Sequence, residues 1–560
     1  MKYLIVGGVA GGASTAARLR RIDENSTIIL FEKGEFISYA NCGLPYYIGD
    51  VIKDRNKLFV QTAASFKTRF NIDARVSTEV ISIDPVNKKV TAKNLLTGEH
   101  YEESYDKLVL SPGAEPIKPP LPGIDSTGIF TLRNVPDTDR IKEYVTKNNC
   151  KTAVVIGGGF IGLEMAENLN HLGLTVDLVE MADQILAPVD YPIAAIAQQK
   201  FRSKGINLHL KNSVTGFESM TASVSPINKI SVQLKEGAPI VADIVILSIG
   251  VKPDTKLAAD AGLKIGDARG IFVNEFLQTS NEDIYAVGDA IEFVNPITKH
   301  SMITYLAGPA NKQGRICANN MVYGNKESYK GSINTAIVKL FDMTVATTGM
   351  ASKHLQRAGI EHIVSTTHSG SHAGYYPGSQ QLTTQICFSP TDGKLLGAQI
   401  AGYDGVDKRI DVLAQIVKFG GTIYDLTEFE HAYAPPFSSA KDPVNMAGFV
   451  ADNIISNKLK VFYWNQIPKL DGSNLLIDVR TAYEFDRGII EGAINIPVDE
   501  IRERLSEIPK DKNIYIYCEA GLRGYLAHRI LRQMGYETVY NLSGGYATWN
   551  ACHKEQSSLS

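Results

Sequence analysis

Residues 151–180 read KTAVVIGGGFIGLEMAENLNHLGLTVDLVE, and this pattern decides the fold of most of the chain. The run TAVVI has the length and β-branching of a buried strand. It enters a glycine turn, after which apolar residues recur at helical spacing, and a second strand, TVDLV, ends at Glu180. Gly157, Gly159 and Gly162 stand in the order G-x-G-x-x-G, and each place has a steric reason: a tight turn, close approach of a pyrophosphate, and close packing of helix on strand. The helix N-terminus presents unpaired N–H groups and a positive dipole end to phosphate. Glu180 can accept from a ribose diol and repels a 2′-phosphate. The segment is expected to bind NADH in preference to NADPH, with slow use of NADPH left open.

The N-terminus repeats the pattern with one change. MKYLIVGGVAGGASTAARLRRIDENSTIILFE (1–32) again reads strand, turn, helix, strand. Its turn keeps Gly7 and Gly12 but puts Val9 in the middle slot, and Glu32 ends the second strand in position to accept from a ribose hydroxyl. Alone, such a turn also fits an ordinary tight bend. A third segment, TSNEDIYAVGDA (279–290), is a strand ending at Gly288-Asp289. It resembles the segment by which two-dinucleotide flavoproteins hold the ribityl chain of a flavin through an aspartate; a helix N-cap is the alternative for Asp289. LVLSPGAEP (108–116) and VILSIGVKPDT (245–255) resemble the strand-to-glycine crossovers of those proteins.

Composition narrows the class. At 560 residues the chain is too long for one core. With 44% apolar residues, 21% charged residues and a formal charge of −3, it has no long-range attraction to nucleic acid or membrane. Six cysteines without a C-x-x-C or Cys/His spacing make neither a disulfide scaffold nor a metal site. KYLIV is too short for a signal core and no apolar run reaches the ~20 residues of a membrane span. A cytoplasmic protein is expected, with no metal, nucleic-acid or membrane partner.

With these segments in place, residues 1–445 resemble the pyridine nucleotide–disulfide oxidoreductases. The resemblance implies FAD held by Gly7, Gly12, Glu32, Lys33, Val80, Gly113, Asp289 and Ala310, and NADH held by Gly157, Gly159, Ile161, Gly162, Glu180 and Gly250. FISYANCGLPYYIGD (36–50) holds Cys42 with no second cysteine near it in sequence. This resembles the single-cysteine branch of NADH oxidases, NADH peroxidases, coenzyme A disulfide reductases and persulfide reductases. Peroxidases and water-forming oxidases carry a histidine in the first glycine turn, where this chain has Ala10. SYANC instead resembles the Ser-Phe-x-x-Cys segment of coenzyme A disulfide reductases, with Tyr39 for the phenylalanine, so the partner thiol of Cys42 is expected to be coenzyme A.

Coenzyme A needs cations for its phosphates. By resemblance its contacts fall on Ser14, Arg18, Arg21, Ser38, Asn41, Asn311 and Lys441, although Asn311 stands where the disulfide reductases usually have a histidine. Arg18 and Arg21 share a helix face, which also reads as simply solvated. Residues 331–445 resemble the family's dimerisation domain. There Tyr375 and Tyr433 match two tyrosines brought over the cysteine from a partner subunit, able to donate a hydrogen bond and a proton to a sulfur leaving group. The alternative is that they pack turns. A homodimer is implied.

The remainder changes character. NLLIDVRTAYEFDRGIIEGAINIP (474–497) and NIYIYCEAGLRGYLAHRILRQMGYETVYNLSGGYATW (513–549) alternate short strands with helices. Asp478-Val479-Arg480, Gly488…Glu491-Gly492-Ala493 and Gly544-Gly545-Tyr546…Trp549 resemble a rhodanese domain. Cys518 opens a six-residue loop, CEAGLR, whose backbone N–H groups are expected to stabilise a thiolate or persulfide, with Arg523 adding fixed positive charge. Glu519 stands where thiosulfate-using members often place a base, which disfavours dianionic thiosulfate.

The expected fold class is α/β: two nested Rossmann-like dinucleotide-binding domains, an α+β dimerisation domain and a C-terminal α/β rhodanese domain. The divisions are 1–115 with 265–330 for FAD, 116–264 for NADH, 331–445 for dimerisation, 446–465 as linker and 466–555 for rhodanese. The expected activity is NADH-dependent, FAD-mediated reduction of coenzyme A persulfide or polysulfide at Cys42, with Cys518 carrying sulfane sulfur. The alternatives are reduction of coenzyme A disulfide, an NADH oxidase, or a redox-sensing sulfur carrier. Cys150, Cys317, Cys387 and Cys552 carry no motif and are assigned to packing or surface.

Overall fold

The structure is a computed structural model describing residues 1–220 and 229–558. It divides into two compact units, one of Met1–Met181 and Asn212–Asn334, the other of Ala182–Lys211 and Thr335–Ser560.

In the first unit, strand Lys2–Val6 lies at the centre of a parallel sheet. It is flanked by Thr27–Phe31 and Asp73–Arg75 on one side and by Lys107–Leu110 and Ile284–Ala286 on the other. Leu4, Ile5, Leu30, Leu108 and Ile284 are fully buried, so these strands read as continuous apolar runs rather than alternating ones. A second parallel sheet orders Thr175–Val179, Thr152–Ile156, Ile244–Leu247 and Ile129–Thr131. The two glycine turns obey one steric rule. Gly7 and Gly157 have φ of 99° and 107°. A Cβ on Gly12 or Gly162 would stand 1.9 Å from the carbonyl oxygen of Gly7 or Gly157 respectively, so each helix can cross its strand only on glycine. At Gly159 a Cβ meets no protein atom within 4 Å, so the chain's own packing does not require glycine in this slot, which Val9 fills in the first copy.

The second unit carries an antiparallel sheet ordered Ala336–Leu340, Met343–Gly349, Leu395–Gly402, Gln381–Phe388, Ile363–Gly370. A parallel five-stranded sheet follows, with Asn513–Tyr517 between Val539–Leu542 and Asn474–Asp478. The stretch 446–465 is helical through Ile455, within the helix Pro443–Ile455. Beyond it Tyr463 donates to the Val364 carbonyl at 3.2 Å and Trp464 stacks on Tyr191 at 5.3 Å.

These contacts belong to a broad dock of the C-terminal sheet domain on its neighbours in the same unit. Ser543 Oγ accepts from the Thr366 N–H at 3.1 Å, and His368 Nε2 lies 2.8 Å from Thr548 Oγ1. Buried Gln198 donates to buried Glu555 at 2.9 Å, and Arg202 pairs with the same carboxylate. Buried polar groups matched in this way hold a fixed interface, since each would be costly to leave unpaired. The domain is docked, not tethered.

Candidate functional site

A cavity of about 840 Å³ opens along the carboxyl ends of the N-terminal sheet's strands, where open α/β sheets bind ligands. Gly7, Glu32, Lys33, Val80, Gly113, Asp289 and Ala310 line it; Gly12 does not, and acts instead through the close helix crossing. Glu32 accepts from the Gly8 and Gly34 N–H groups at 2.8 and 2.7 Å through separate oxygens, each keeping a lone pair for a further donor. Lys33 pairs with Glu115 and Asp254 at 3.2 and 3.7 Å. Asp289 lies in a turn between strands, so it is not a helix N-cap. Burial alone pushes its carboxyl up to about 6. A carboxylate desolvated with no compensating donor, beside a glycine turn and a helix N-terminus, fits a group with hydroxyls and a pyrophosphate. These residues suit a flavin dinucleotide.

Cys42 lies on a 3₁₀ turn, Asn41–Gly43, leading into the short helix Leu44–Ile48. This turn leans on the second dinucleotide helix, Phe160–His171: a Cβ on Gly49 would collide with Asn168, and Tyr46 donates to Glu164 at 3.2 Å. All six cysteines are free thiols; Cys42 is exposed and Cys150, Cys317, Cys387, Cys518 and Cys552 are buried. Desolvation, then the negative fields of Glu164 and Asp289, push the Cys42 thiol above its ordinary value. The chain's own groups therefore oppose the thiolate. Ala10 lines the cavity, so no imidazole enters at that position.

Glu164 is a site residue the sequence reading did not find. Burial raises its carboxyl to about 7, the more so with Glu167 nearby, while the Tyr46 bond lowers it. In the unfolded chain it titrates near 4.5, so between about 4.5 and 7 the folded state holds the extra proton. Its stabilising contribution is complete below that window and is lost as pH rises through it. Glu164→Gln removes this slope: its melting temperature exceeds the parent's at pH 8 and approaches the parent's at pH 4. Equal gaps at both pH values would contradict the assignment.

On the second dinucleotide turn, Glu180 accepts from the Gly158 N–H at 2.7 Å, Ile161 is exposed at the helix start and Gly250 has φ 113°. Ser14 and Asn311 hydrogen-bond each other, joining the helices Ala10–Ile22 and Ala307–Tyr323. Arg18 donates to Asn319 at 2.8 Å and is half-buried, whereas Arg21 is exposed and bonds its own helix at the Ala17 carbonyl. Their neighbour Arg20 is buried and ties five carbonyls at the helix end, a structural role. Ser38 adopts φ 46°, and Asn41 lines the cavity.

In the second unit Tyr375 and Tyr433 meet, hydroxyl to hydroxyl, at 3.0 Å, with Tyr375 76% exposed. Lys441 borders a smaller cavity with Phe429, His431 and Phe449. The two tyrosine loops share one clamp. Arg409, 2% exposed, donates to Asp442 at 2.9 Å and to the Ser371 carbonyl at 2.8 Å, and Ser438 donates to Asp442 at 2.6 Å.

Cys518, 2% exposed, sits at the end of strand Asn513–Tyr517. The Gly521 N–H donates to its Sγ at 3.1 Å, and the loop runs into the helix Leu522–Gln533. Arg523, expected to add a fixed positive charge, is held by a two-pronged pair with Glu484, both bonds at 2.6 Å, which also compensates that charge. Glu519 is held by Arg480 at 3.1 Å, itself paired with buried Asp478 at 2.7 Å beneath the Tyr546 ring. The Gly521 N–H, rather than an unpaired guanidinium, faces the sulfur.

Among the described residues no helix is long and apolar enough to cross a membrane. Comparison with known proteins places the chain. Residues 1–314 match the model of the pyridine nucleotide-disulphide oxidoreductases, 335–443 that of their dimerisation domain and 465–552 that of rhodanese-like domains. The coenzyme A disulfide reductase of Staphylococcus haemolyticus is 36% identical over 453 residues, 81% of this chain and all of that protein. The crystal structure of reduced Bacillus anthracis CoADR-RHD superposes with TM-score 0.95 at 47% identity, over 99% of this chain and 98% of that one. An NAD-dependent persulfide reductase from A. fulgidus superposes with TM-score 0.91 at 36% identity, over 98% and 100%. The chain belongs to the pyridine nucleotide-disulphide oxidoreductases, a family whose fold carries FAD and NAD(P)H, and it adds to that enzyme a dimerisation domain and a C-terminal rhodanese-like domain.

Proposed function

We propose that the protein is a homodimeric, NADH-dependent reductase of coenzyme A persulfide that releases sulfide, with Cys42 as the reacting thiol and Cys518 as the sulfane-sulfur carrier. The observation that carries the choice of persulfide is the Gly521 N–H directed at Cys518 Sγ at 3.1 Å, a cradle for sulfane sulfur that disulfide reduction does not need. Bound FAD would supply two-electron transfer between nicotinamide and sulfur, held by Glu32, Asp289 and the Gly7 turn. Glu180 would select NADH. Cys42 takes the terminal sulfur of the persulfide and the coenzyme A thiolate leaves; two-electron reduction of the new S–S bond frees sulfide and restores the thiol. The Tyr375–Tyr433 pair, preassembled at 3.0 Å, suits proton delivery to a leaving sulfur on the partner subunit.

Reduction of coenzyme A disulfide is the second reading. It is favoured by the staphylococcal relative, whose whole length is matched by 81% of this chain. Anaerobic NADH oxidation with sulfide detection separates them. At equal concentrations, coenzyme A persulfide should turn over faster than coenzyme A disulfide and yield one sulfide per NADH. Faster turnover of the disulfide without sulfide would establish the second reading.

A further inference from the structure

The loop that carries Cys518 takes its shape from the helix that follows the last strand. The Tyr546 N–H donates to the Cys518 carbonyl at 2.8 Å and the Ala547 N–H to the Glu519 carbonyl at 3.0 Å. Both donors stand in the first turn of the helix Gly545–Ser557, where N–H groups have no partner within the helix. With those two carbonyls held, and with Asn541 donating to the Gly521 carbonyl at 3.2 Å, the Gly521 N–H is left directed at the sulfur. The approach is close: a Cβ on Gly545 would stand 2.5 Å from the Cys518 carbonyl oxygen. The junction that sets the helix start is itself pliant, since Gly544 and Gly545 have φ of 73° and 60° in a region glycine enters freely.

The antiparallel sheet grips that junction. In strand Ile363–Gly370 the Thr366 N–H donates to Ser543 Oγ at 3.1 Å. Two residues on, His368 Nε2 lies 3.0 Å from the Gly544 carbonyl oxygen and 2.8 Å from Thr548 Oγ1. Its Nδ1 lies 3.0 Å from Thr383 Oγ1, on the residue paired with it across the sheet. The tautomer follows from the partners. A carbonyl only accepts, so Nε2 carries the hydrogen and Nδ1 accepts from the Thr383 hydroxyl. Desolvation pushes the ring down to about 4 against the opposing effect of the Gly544 bond, so it stays uncharged near neutrality.

We propose that His368, on the sheet that precedes the C-terminal domain, is a positioning residue for Cys518: by pinning Gly544 it fixes the helix start that holds the loop carbonyls and so aims the Gly521 N–H at the sulfur. The inference rests on the reading of Cys518 as a sulfane carrier. It makes the dock part of the sulfur site and not only a source of stability.

The test is sulfur loading of Cys518 in the full-length holoenzyme without NADH. The probe is inorganic polysulfide, and the readout is one added sulfur on the Cys518 peptide by mass spectrometry. In that step the thiolate attacks the outer sulfur of HS–Sₙ⁻. The new S–S bond forms, the old one breaks with its electron pair, and the shortened polysulfide leaves, so no external oxidant is needed. His368→Leu, which fills the space without a donor, should slow loading by about tenfold or more. Its NADH-driven turnover of coenzyme A disulfide should stay parental, because that reaction needs only Cys42. His368→Gln, whose amide can donate to the same carbonyl, should recover most of the loading rate. Thr383→Val, which frees the ring to turn while keeping the side chain's size, should fall between them; it carries the test if the leucine variant does not fold. Parental loading in the leucine variant, or in the valine variant where the leucine variant does not fold, would overturn the proposal. So would equal losses in the leucine and glutamine variants, or a loss of disulfide turnover in step with loading, since each marks a merely structural role. Failure of the wider reading has a different sign: the parent itself would take no sulfur on Cys518.

Discussion

Cys42→Ser should reduce NADH-driven turnover of both coenzyme A persulfide and coenzyme A disulfide by roughly three orders of magnitude or more, since removing a nucleophile removes a whole covalent route. Serine keeps the size of the side chain, and the residue lies exposed on its turn, so the loss is chemical and not structural. The thermal midpoint should stay close to the parent's. Cys518→Ala separates the two sulfur sites. It should leave disulfide turnover unchanged, because that reaction needs only Cys42, and should lower turnover of polysulfide, which depends on capture at the rhodanese loop. A Cys518→Ala variant that reduces polysulfide at the parental rate would remove the carrier role from the proposed function. A Cys42→Ser variant that retains turnover would remove the mechanism itself.

The largest effect on stability should follow from Arg409→Ala. Arg409 and Asp442 are 2% and 0% exposed. Desolvation works against the Asp442 carboxylate, but bonds from Arg409, Ser438 and the Val444 N–H hold it below the usual range. Deleting the guanidinium strands a buried charge, which costs about 3–5 kcal/mol. The pH dependence carries a sign. In the parent, the depressed carboxyl contributes stability above its unfolded value of 3.8, lost as pH falls below it. In the variant the unpaired carboxyl gains by taking a proton, so the deficit measured by urea unfolding should narrow as pH is lowered toward 4. Arg409→Met with Asp442→Asn should recover part of the loss, since no bare charge remains. Because Arg409 also binds the Ser371 carbonyl, the variant frees both tyrosine loops, and turnover should fall further than the folded fraction does. An undiminished rate per folded molecule would show that the clamp does not position the tyrosines.

The parts of the site legible in sequence are those whose constraint is local. Gly162 must be glycine because a Cβ there would stand 1.9 Å from the carbonyl oxygen of Gly157 only five residues back, and Gly157 itself holds φ 107°. Cys518 and Gly521 share one short loop, so the N–H that meets the sulfur could be anticipated. What could not be read lies in pairings across the chain. Tyr46 and Glu164 are 118 positions apart, and neither carries a spacing that announces the other. Glu484 and Arg523 are 39 apart, and neither stretch announces that the fixed positive charge expected of Arg523 is paired with a carboxylate. The docking of the rhodanese-like domain was equally hidden: Gln198 and Glu555 meet across 357 positions in helices of ordinary composition. A glutamate on the helix after a G-x-G-x-x-G turn, one helical turn beyond its start, was the only available hint of Glu164.

The dock also bears on inheritance. A gene shortened to end at Ile455 would leave Tyr191 without Trp464, Gln198 and Arg202 without Glu555, and His368 without Thr548. Water can replace the partners of Gln198, Arg202, Thr366 and His368, which are polar already, whereas Tyr191 would turn the ring face that stacks on Trp464 toward solvent, so the burden of such a loss falls on one aromatic contact.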